Sequence, residues 1–269
     1  MDRQISIIGG GNMGSAILGG MITSGLVSPE AVTVADQNEA ALRTLQERYQ
    51  ITVTTDNVFA AEKAEILILA VKPGIYSSLI REIRDAVRED AVIVSIAAGQ
   101  SIARVEELFA RKIRLVRVMP NTPALVGEGM SALSPNESVP EDELRDVLAI
   151  FESFGRAEVV PERLMDTVTG VSGSSPAYVY MLIEAMADAA VADGMMRSQA
   201  YQFATQSVLG AAKMVLETGK HPGELKDMVC SPGGTTIEAV AVLEKEGFRN
   251  AVISAQRACT EKSREMSGK

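Results

Sequence analysis

Tryptophan is absent from the 269 residues, aromatic side chains make up only 4%, and histidine occurs once, at His221. Cysteine is nearly as scarce, with Cys230 and Cys259 far from any partner in sequence. Two isolated cysteines make neither a disulfide framework nor a metal cluster, and with a single histidine a zinc site has too few ligands. Positive charge is in deficit, with 26 Lys and Arg against 35 Asp and Glu, a formal charge of −9. That balance argues against nucleic acid or a membrane surface as the main partner. No apolar run reaches membrane-spanning length without a charge or a breaker. The opening "MDRQISIIGGGNMG" does not read as a signal peptide, because its apolar run is short and ends in glycines. The expected location is the cytoplasm.

What the chain has is alanine, glycine and methionine, with 46% hydrophobic residues. Small residues let helices approach closely, so tight helix packing is expected. Through the first 160 residues short apolar runs alternate with amphipathic ones. Strands are expected at 4–9, 31–36, 51–55, 65–71, 91–97 and 113–119, with shorter ones at 129–135 and 157–161. Helices are expected at 12–25, 37–49, 74–87, 101–109 and 140–155, the last closed by Gly155. In 74–87 the spacing puts Ile75, Leu79, Ile80 and Ile83 on one side. Continuous apolar strands alternating with helices predict a parallel sheet covered on both faces, a doubly wound α/β domain. After about residue 160 the strands stop. Helices are expected over 162–195, with a kink or break at 172–176, then 198–218, 222–229, 235–246 and 248–266. The domain boundary is therefore expected near 160, giving 1–160 and 161–269. Several helices of the second part are apolar on more than one face, which predicts an all-α domain buried against a second copy of the chain.

"IIGGGNMG" carries G-x-G-x-x-G at Gly9, Gly11 and Gly14, after a strand and opening a helix. The first glycine allows the turn, the second lets a pyrophosphate approach the backbone, and the third lets helix and strand pack closely. Asp36 ends the second strand, where a carboxylate would accept from a ribose 2′-hydroxyl and repel a 2′-phosphate. That favours NADH, although a solvated carboxylate is the plainer reading. No Arg follows it directly, though Arg43 or Lys72 could reach in. "LAVKPG", "SIAAG" at 95–99 and "VMPNTPA" at 118–124 follow three further strands and share the rim where doubly wound sheets bind ligands.

"MVCSPGGTTIEAV" at 228–240 interrupts a helical region. Pro232, Gly233 and Gly234 break one helix, and Ser231, Thr235 and Thr236 crowd the start of the next. A helix start offers free N–H groups and partial positive charge to an anion, or simply an N-cap to its own backbone.

Together "GGGNMG", "LAVKPG", "SIAAG", "MPNTPA", "VSGSSPAYVY" and "HPGELKDMVCSPGGTTIEAVAVLE" resemble the pyrroline-5-carboxylate reductase family from residue 4 to about 262. The resemblance implies a Rossmann domain followed by a helical dimerisation domain, with five dimers forming a decamer in some members. It implies reduction of 1-pyrroline-5-carboxylate to proline with NADPH or NADH. It assigns Gly9, Gly11, Asn12, Met13 and Gly14 to the cofactor cradle, and Asn57 to the cofactor ribose. Ala70, Val71, Lys72, Pro73, Ala97 and Ala98 become further cofactor contacts, with Met119 and Asn121 beside the nicotinamide. The hydroxyl of Ser231 and the N–H groups of Gly234 and Thr235 would hold the substrate carboxylate, and Thr236 would sit by the imine nitrogen. Asp36-Gln37-Asn38 departs from the Ser, Thr or Asn-Arg frequent in strict NADPH users. Two alternatives stand beside this reading. A β-hydroxyacid dehydrogenase would need a catalytic lysine, for which Lys213 is the candidate. A dinucleotide-binding scaffold would need no substrate loop.

Overall fold

A computed structural model describes residues 1–267. The elements in chain order are β1 (Ile5–Ile8), α1 (Asn12–Thr23), β2 (Val32–Ala35), α2 (Glu39–Tyr49), β3 (Thr52–Thr54), α3 (Asn57–Lys63) and β4 (Ile66–Leu69). There follow α4 (Tyr76–Ile83), β5 (Val92–Ser95), α5 (Ile102–Phe109), β6 (Arg114–Met119), β7 (Gly129–Pro135), α6 (Glu141–Glu152) and β8 (Gly155–Val159). The chain ends in α7 (Met165–Val168), α8 (Ser175–Ala192), α9 (Arg197–Thr218), α10 (Pro222–Val229), α11 (Thr235–Lys245) and α12 (Phe248–Met266).

One eight-stranded sheet runs in the order β3-β2-β1-β4-β5-β6-β7-β8. β1 to β6 are parallel, β7 is antiparallel to β6, and β8 is parallel to β7. β1, β2, β4 and β5 are buried at every position because helices cover both faces. On one face Ile5 and Ile7 join Ile17, Leu18 and Met21 of α1, Leu42 and Leu45 of α2, and Val147, Ile150 and Phe151 of α6. On the other, Leu67 and Leu69 meet Ala60 and Ala61 of α3, Leu79, Ile80 and Ile83 of α4, and Val105, Leu108 and Phe109 of α5. The doubly wound reading is therefore correct.

Local signals explain most of the boundaries. Asn38 caps α2 by accepting from the N–H groups of Ala40 and Ala41, and Ser101 caps α5 by accepting from Arg104. α6 starts behind Pro140 with three acids in its first turn, favourable against the positive end of the helix. Three details differ from the sequence expectation. α3 is an added helix, short enough to escape a periodicity search, and capped by Asp56 accepting from Val58 and Phe59. α4 begins only at Tyr76, since Pro73–Ile75 form a 3-10 turn that leaves Ile75 exposed rather than in the core. Gly155, expected only as a helix stop, opens β8 directly.

The chain divides into two compact units. One comprises residues 1–174 together with the stretch from Cys259 onward, and the other residues 175–258. The division falls later than the strand count suggests, and the C-terminal end returns to the first unit. The physical reason lies in side-chain contacts. Asp166 is buried and accepts from the hydroxyl of Ser263 at 2.9 Å, and Asn121 binds the carbonyl of Ser172. Within the second unit α8 and α9 pack on each other, and its buried residues are Ala187, Ala200 and Ala204. Small side chains thus make the close helix contact, while Tyr180, Met181 and Phe203 remain 60%, 69% and 66% exposed. Among the described residues no helix is long and apolar enough to cross a membrane.

Phe151 is fully buried and meets Phe154 edge-on, ring centroids 5.5 Å apart. Phe151→Ala removes that ring from the core under α1 and should lower unfolding free energy by about 3–5 kcal/mol, read from denaturant midpoints.

Candidate functional site

The cradle is built where β1 hands over to α1. An added Cβ on Gly14 would lie 1.9 Å from the carbonyl oxygen of Gly9, so only glycine lets the first turn of α1 sit on the strand end. Gly11 is the N-cap of α1 and has no side chain to cap it, so the first N–H groups of Asn12, Met13 and Gly14 lack intrahelical partners. A Cβ on Gly11 would meet no atom within 4 Å. The space above a bare helix start is what a pyrophosphate needs, so the residues present fit a dinucleotide. Ser15 ties the loop down by donating its hydroxyl to the carbonyl of Gly10 at 2.9 Å.

Asp36 lies at the end of β2, beside this loop. Its Oδ2 accepts from the N–H of Gly10 at 2.6 Å and its Oδ1 from the N–H of Asn38 at 2.8 Å. A cavity of about 470 Å3 opens here, walled by Gly9, Asp36, Gln37, Asn57, Val71 and Glu82 among others. Asn57, at the start of α3, does not point freely into it. Its Nδ2 donates to both oxygens of Glu82 on α4, at 3.2 and 3.3 Å. Glu82 lines this cavity and the sequence reading missed it, because α3 and α4 had to be placed before the pair could be seen. Arg43 stays on the outside of α2, 3.4 Å from Glu39.

The rest of the rim follows the sheet's carboxyl ends. Ala70 continues β4 by donating its N–H to the carbonyl of Ile8, and Lys72 and Pro73 lie exposed just beyond. Beneath them the hydroxyl of Tyr76 donates to Ser95 Oγ at 2.7 Å, tying α4 to the end of β5. Burial pushes the Tyr76 phenol well above its ordinary range, so it stays neutral. Ala97 is buried and Ala98 half-buried in the loop after β5. Met119 ends β6. Asn121 is 9% exposed and spends its amide on structure: Oδ1 accepts from Met130 N–H at 2.9 Å and Nδ2 donates to the carbonyl of Ser172 at 3.0 Å. Ser172 belongs to a single π-helical turn, Thr169–Gly173, which the sequence announced only as a kink or break. Asn121 thus clamps the rim loop to that turn. A larger cavity of about 680 Å3, beside α5, β7 and β8, is lined by none of the expected site residues.

In the second unit α10 ends at Cys230 and the chain turns through Ser231 to Gly234, whose N–H donates to the carbonyl of Ser231 at 3.0 Å. Gly233 takes a left-handed backbone, φ +67°, as the tight turn demands. Gly234 is the N-cap of α11, with no side-chain cap bond. The capping alternative for the neighbouring hydroxyls therefore does not apply. Among the described residues Ser231, Thr235 and Thr236 make no side-chain hydrogen bond; the first and second are exposed and Thr236 is half-buried. His221 is occupied elsewhere, its Nδ1 accepting from Gly223 N–H at 3.0 Å as the cap of α10. Lys213 is an exposed residue paired with Glu217 at 3.4 Å, unlike a buried catalytic amine. Among the described residues no three His, Cys, Asp or Glu side chains are placed to hold a metal ion.

A doubly wound sheet with an open glycine cradle at the start of α1 defines a dinucleotide-binding protein of the Rossmann class. Comparison with known proteins narrows this. Residues 162–266 match the family model for pyrroline-5-carboxylate reductase dimerisation, and residues 4–99 match that for NADP oxidoreductase, coenzyme F420-dependent. The pyrroline-5-carboxylate reductase of Escherichia coli K12 is 52% identical over 267 residues, 99% of either chain, and that of Synechocystis 46% over the whole of both. Among solved structures, a pyrroline-5-carboxylate reductase from Coxiella burnetii superposes with a TM-score of 0.94 at 34% identity, covering 99% of each chain. A pyrroline carboxylate reductase from Plasmodium falciparum, with NADP bound, gives 0.89 at 32%, covering 99% of this chain and 98% of that one. The chain belongs to the pyrroline-5-carboxylate reductase family. Its activity is the NAD(P)H-dependent reduction of 1-pyrroline-5-carboxylate in proline biosynthesis, and its helical part is a dimerisation domain.

Gly14→Ala forces α1 away from Gly9. It should weaken reduced-cofactor binding by on the order of tenfold or more, about 1.4 kcal/mol, in a nicotinamide fluorescence titration.

Proposed function

We propose a division of labour for this reduction, carried above all by the bare start of α11 with its three unspent hydroxyls. The loop 231–236 binds the substrate carboxylate. Ser231 donates its hydroxyl, and the N–H groups of Gly234 and Thr235 complete the anion cradle at the positive end of an eleven-residue helix. Thr236 places its hydroxyl beside the ring nitrogen and fixes which way the imine faces. Gly9, Gly11, Asn12, Met13 and Gly14 hold the pyrophosphate. Asp36 and Asn57 border the adenine ribose, Ala70, Val71, Lys72 and Pro73 with Ala97 and Ala98 form the wall of the cleft, and Met119 lies by the nicotinamide. Asn121 acts through position, since its amide is committed to Met130 and Ser172.

The reduced nicotinamide, when bound, supplies the hydride that the imine carbon accepts. The chain itself has little acid chemistry to perform. His221 is committed to its cap, and a threonine hydroxyl is too weak an acid to drive protonation alone. The imine therefore enters already protonated, and the loop's work is to bind the carboxylate and hold the C=N bond at a fixed angle. The accepted electron pair ends as the new C–H bond, and the π electrons of the C=N bond become the nitrogen lone pair of proline. The exposed apolar side chains of α8 and α9 are covered in a homodimer, the assembly this helical module serves. The two free thiols and the negative charge suit a cytoplasmic enzyme with no nucleic-acid partner.

The direct test is loss of reduced-nicotinamide absorbance on adding 1-pyrroline-5-carboxylate. Oxidation that depends on that substrate is expected, and a folded, cofactor-binding protein that oxidises nothing refutes the reading. Thr236→Ala should lower kcat by roughly one to three orders of magnitude while cofactor binding persists. Unchanged turnover removes Thr236 from the mechanism.

A further inference from the structure

The cavity beside the end of β2 is walled by two carboxylates, Asp36 and Glu82, and, among the described residues, by no lysine or arginine. We propose that this reductase takes NADH in preference to NADPH, and that Glu82 on α4 shares with Asp36 the exclusion of a 2′-phosphate. The inference rests on the dinucleotide reading given above and adds to it the choice of cofactor.

Three observations carry it. First, neither carboxylate can turn away easily. Asp36 is pinned through both oxygens by the N–H groups of Gly10 and Asn38, at 2.6 and 2.8 Å. Glu82 is exposed, yet Asn57 reaches across from α3 to donate to both its oxygens. Asn57 is thereby a positioning residue, holding Glu82 at the cavity. Second, the geometry suits hydroxyls. Carboxylate oxygens only accept at neutral pH, and ribose hydroxyls donate, so the wall complements an unmodified ribose. A phosphate also only accepts, so it would meet acceptors on both sides. Third, the cations that could rescue a phosphate lie elsewhere. Arg43 is paired with Glu39 on the outer side of α2, and Lys72, given above to the wall further along the cleft, does not line this cavity at the end of β2. Phosphate recognition depends on charge-assisted bonds from Arg or Lys, which this wall does not provide.

The test is equilibrium binding of NADH and NADPH to the full-length protein, followed by nicotinamide fluorescence, at low and at high salt. The wild type should bind NADH more tightly by on the order of tenfold or more at low salt. The gap should narrow as salt rises, because screening weakens repulsion between charges near the surface. Glu82→Gln keeps size and shape while removing the charge, and should shrink the NADH-to-NADPH affinity ratio about three- to tenfold at low salt. Asp36→Ser should shrink it too. A merely structural role for Glu82 would move both affinities together and would not respond to salt. Equal wild-type affinities, or a ratio untouched by Glu82→Gln, overturn the inference while leaving the dinucleotide reading intact. A folded wild type that binds neither cofactor overturns both. Initial rates with 1-pyrroline-5-carboxylate and each cofactor should show the same order in kcat/KM.

Discussion

Everything on the cofactor side depends on one close approach, the first turn of α1 seated against the carbonyl of Gly9. At Gly14 a single added carbon would sit 1.9 Å from that oxygen. The approach fixes where α1 begins, and so where its unpaired N–H groups point. It also fixes the loop to which Asp36 is bound through Gly10. A backbone contact of this kind tolerates no side chain, which is why the motif is written in glycine rather than in any charged residue.

Hydrogen bonds along the remaining rim commit the side chains of Tyr76, Ser95 and Asn121 to structure. Tyr76 to Ser95 joins α4 to β5, and Asn121 joins the loop after β6 to β7 and to the π-helical turn. Each is buried or nearly so, and losing one partner would strand the other without water. At these two points the rim is fixed to the sheet and to the π-helical turn for that reason. It suits a reaction in which the cofactor provides the reactivity and the protein provides position. The loop proposed to bind the substrate, in the helical unit, follows the same economy. It offers backbone N–H groups and three hydroxyls and carries no ionisable acid, and the lone histidine is spent on a helix cap.

Much of this was legible in the order of residues. Strand after strand of unbroken Ile, Val and Leu meant a sheet covered on both faces, and the glycine spacing placed the cradle. Pro232-Gly233-Gly234 marked the break before α11. The misses share a cause. α3 is too short to show a helical period, and Ile75 fits the period of α4 yet falls in a 3-10 turn set by Pro73. The π-helical turn depends on what packs against it, including Met119 beside Gly173. Apart from these, the boundary expected near 160 marks where the strands end. The compact unit runs on to Ser174 and regains the chain at Cys259, because Asp166 is paired with Ser263 nearly a hundred residues away.

The division between the two kinds of information is physical. Periodicity, glycine spacing and composition are local, and they determined the class of fold, the family and the cradle, since each reflects backbone geometry within a few residues. Whether a polar side chain is available for a ligand is not local. Asn57 and Asn121 look equally free in the sequence. The fold commits the first to Glu82, 25 residues on, and the second to Ser172, 51 residues on. It also sets Glu82 beside Asp36 in one cavity. Hydrogen bonds between distant segments exist only once the sheet has brought those segments together, so these assignments belonged to the tertiary structure alone.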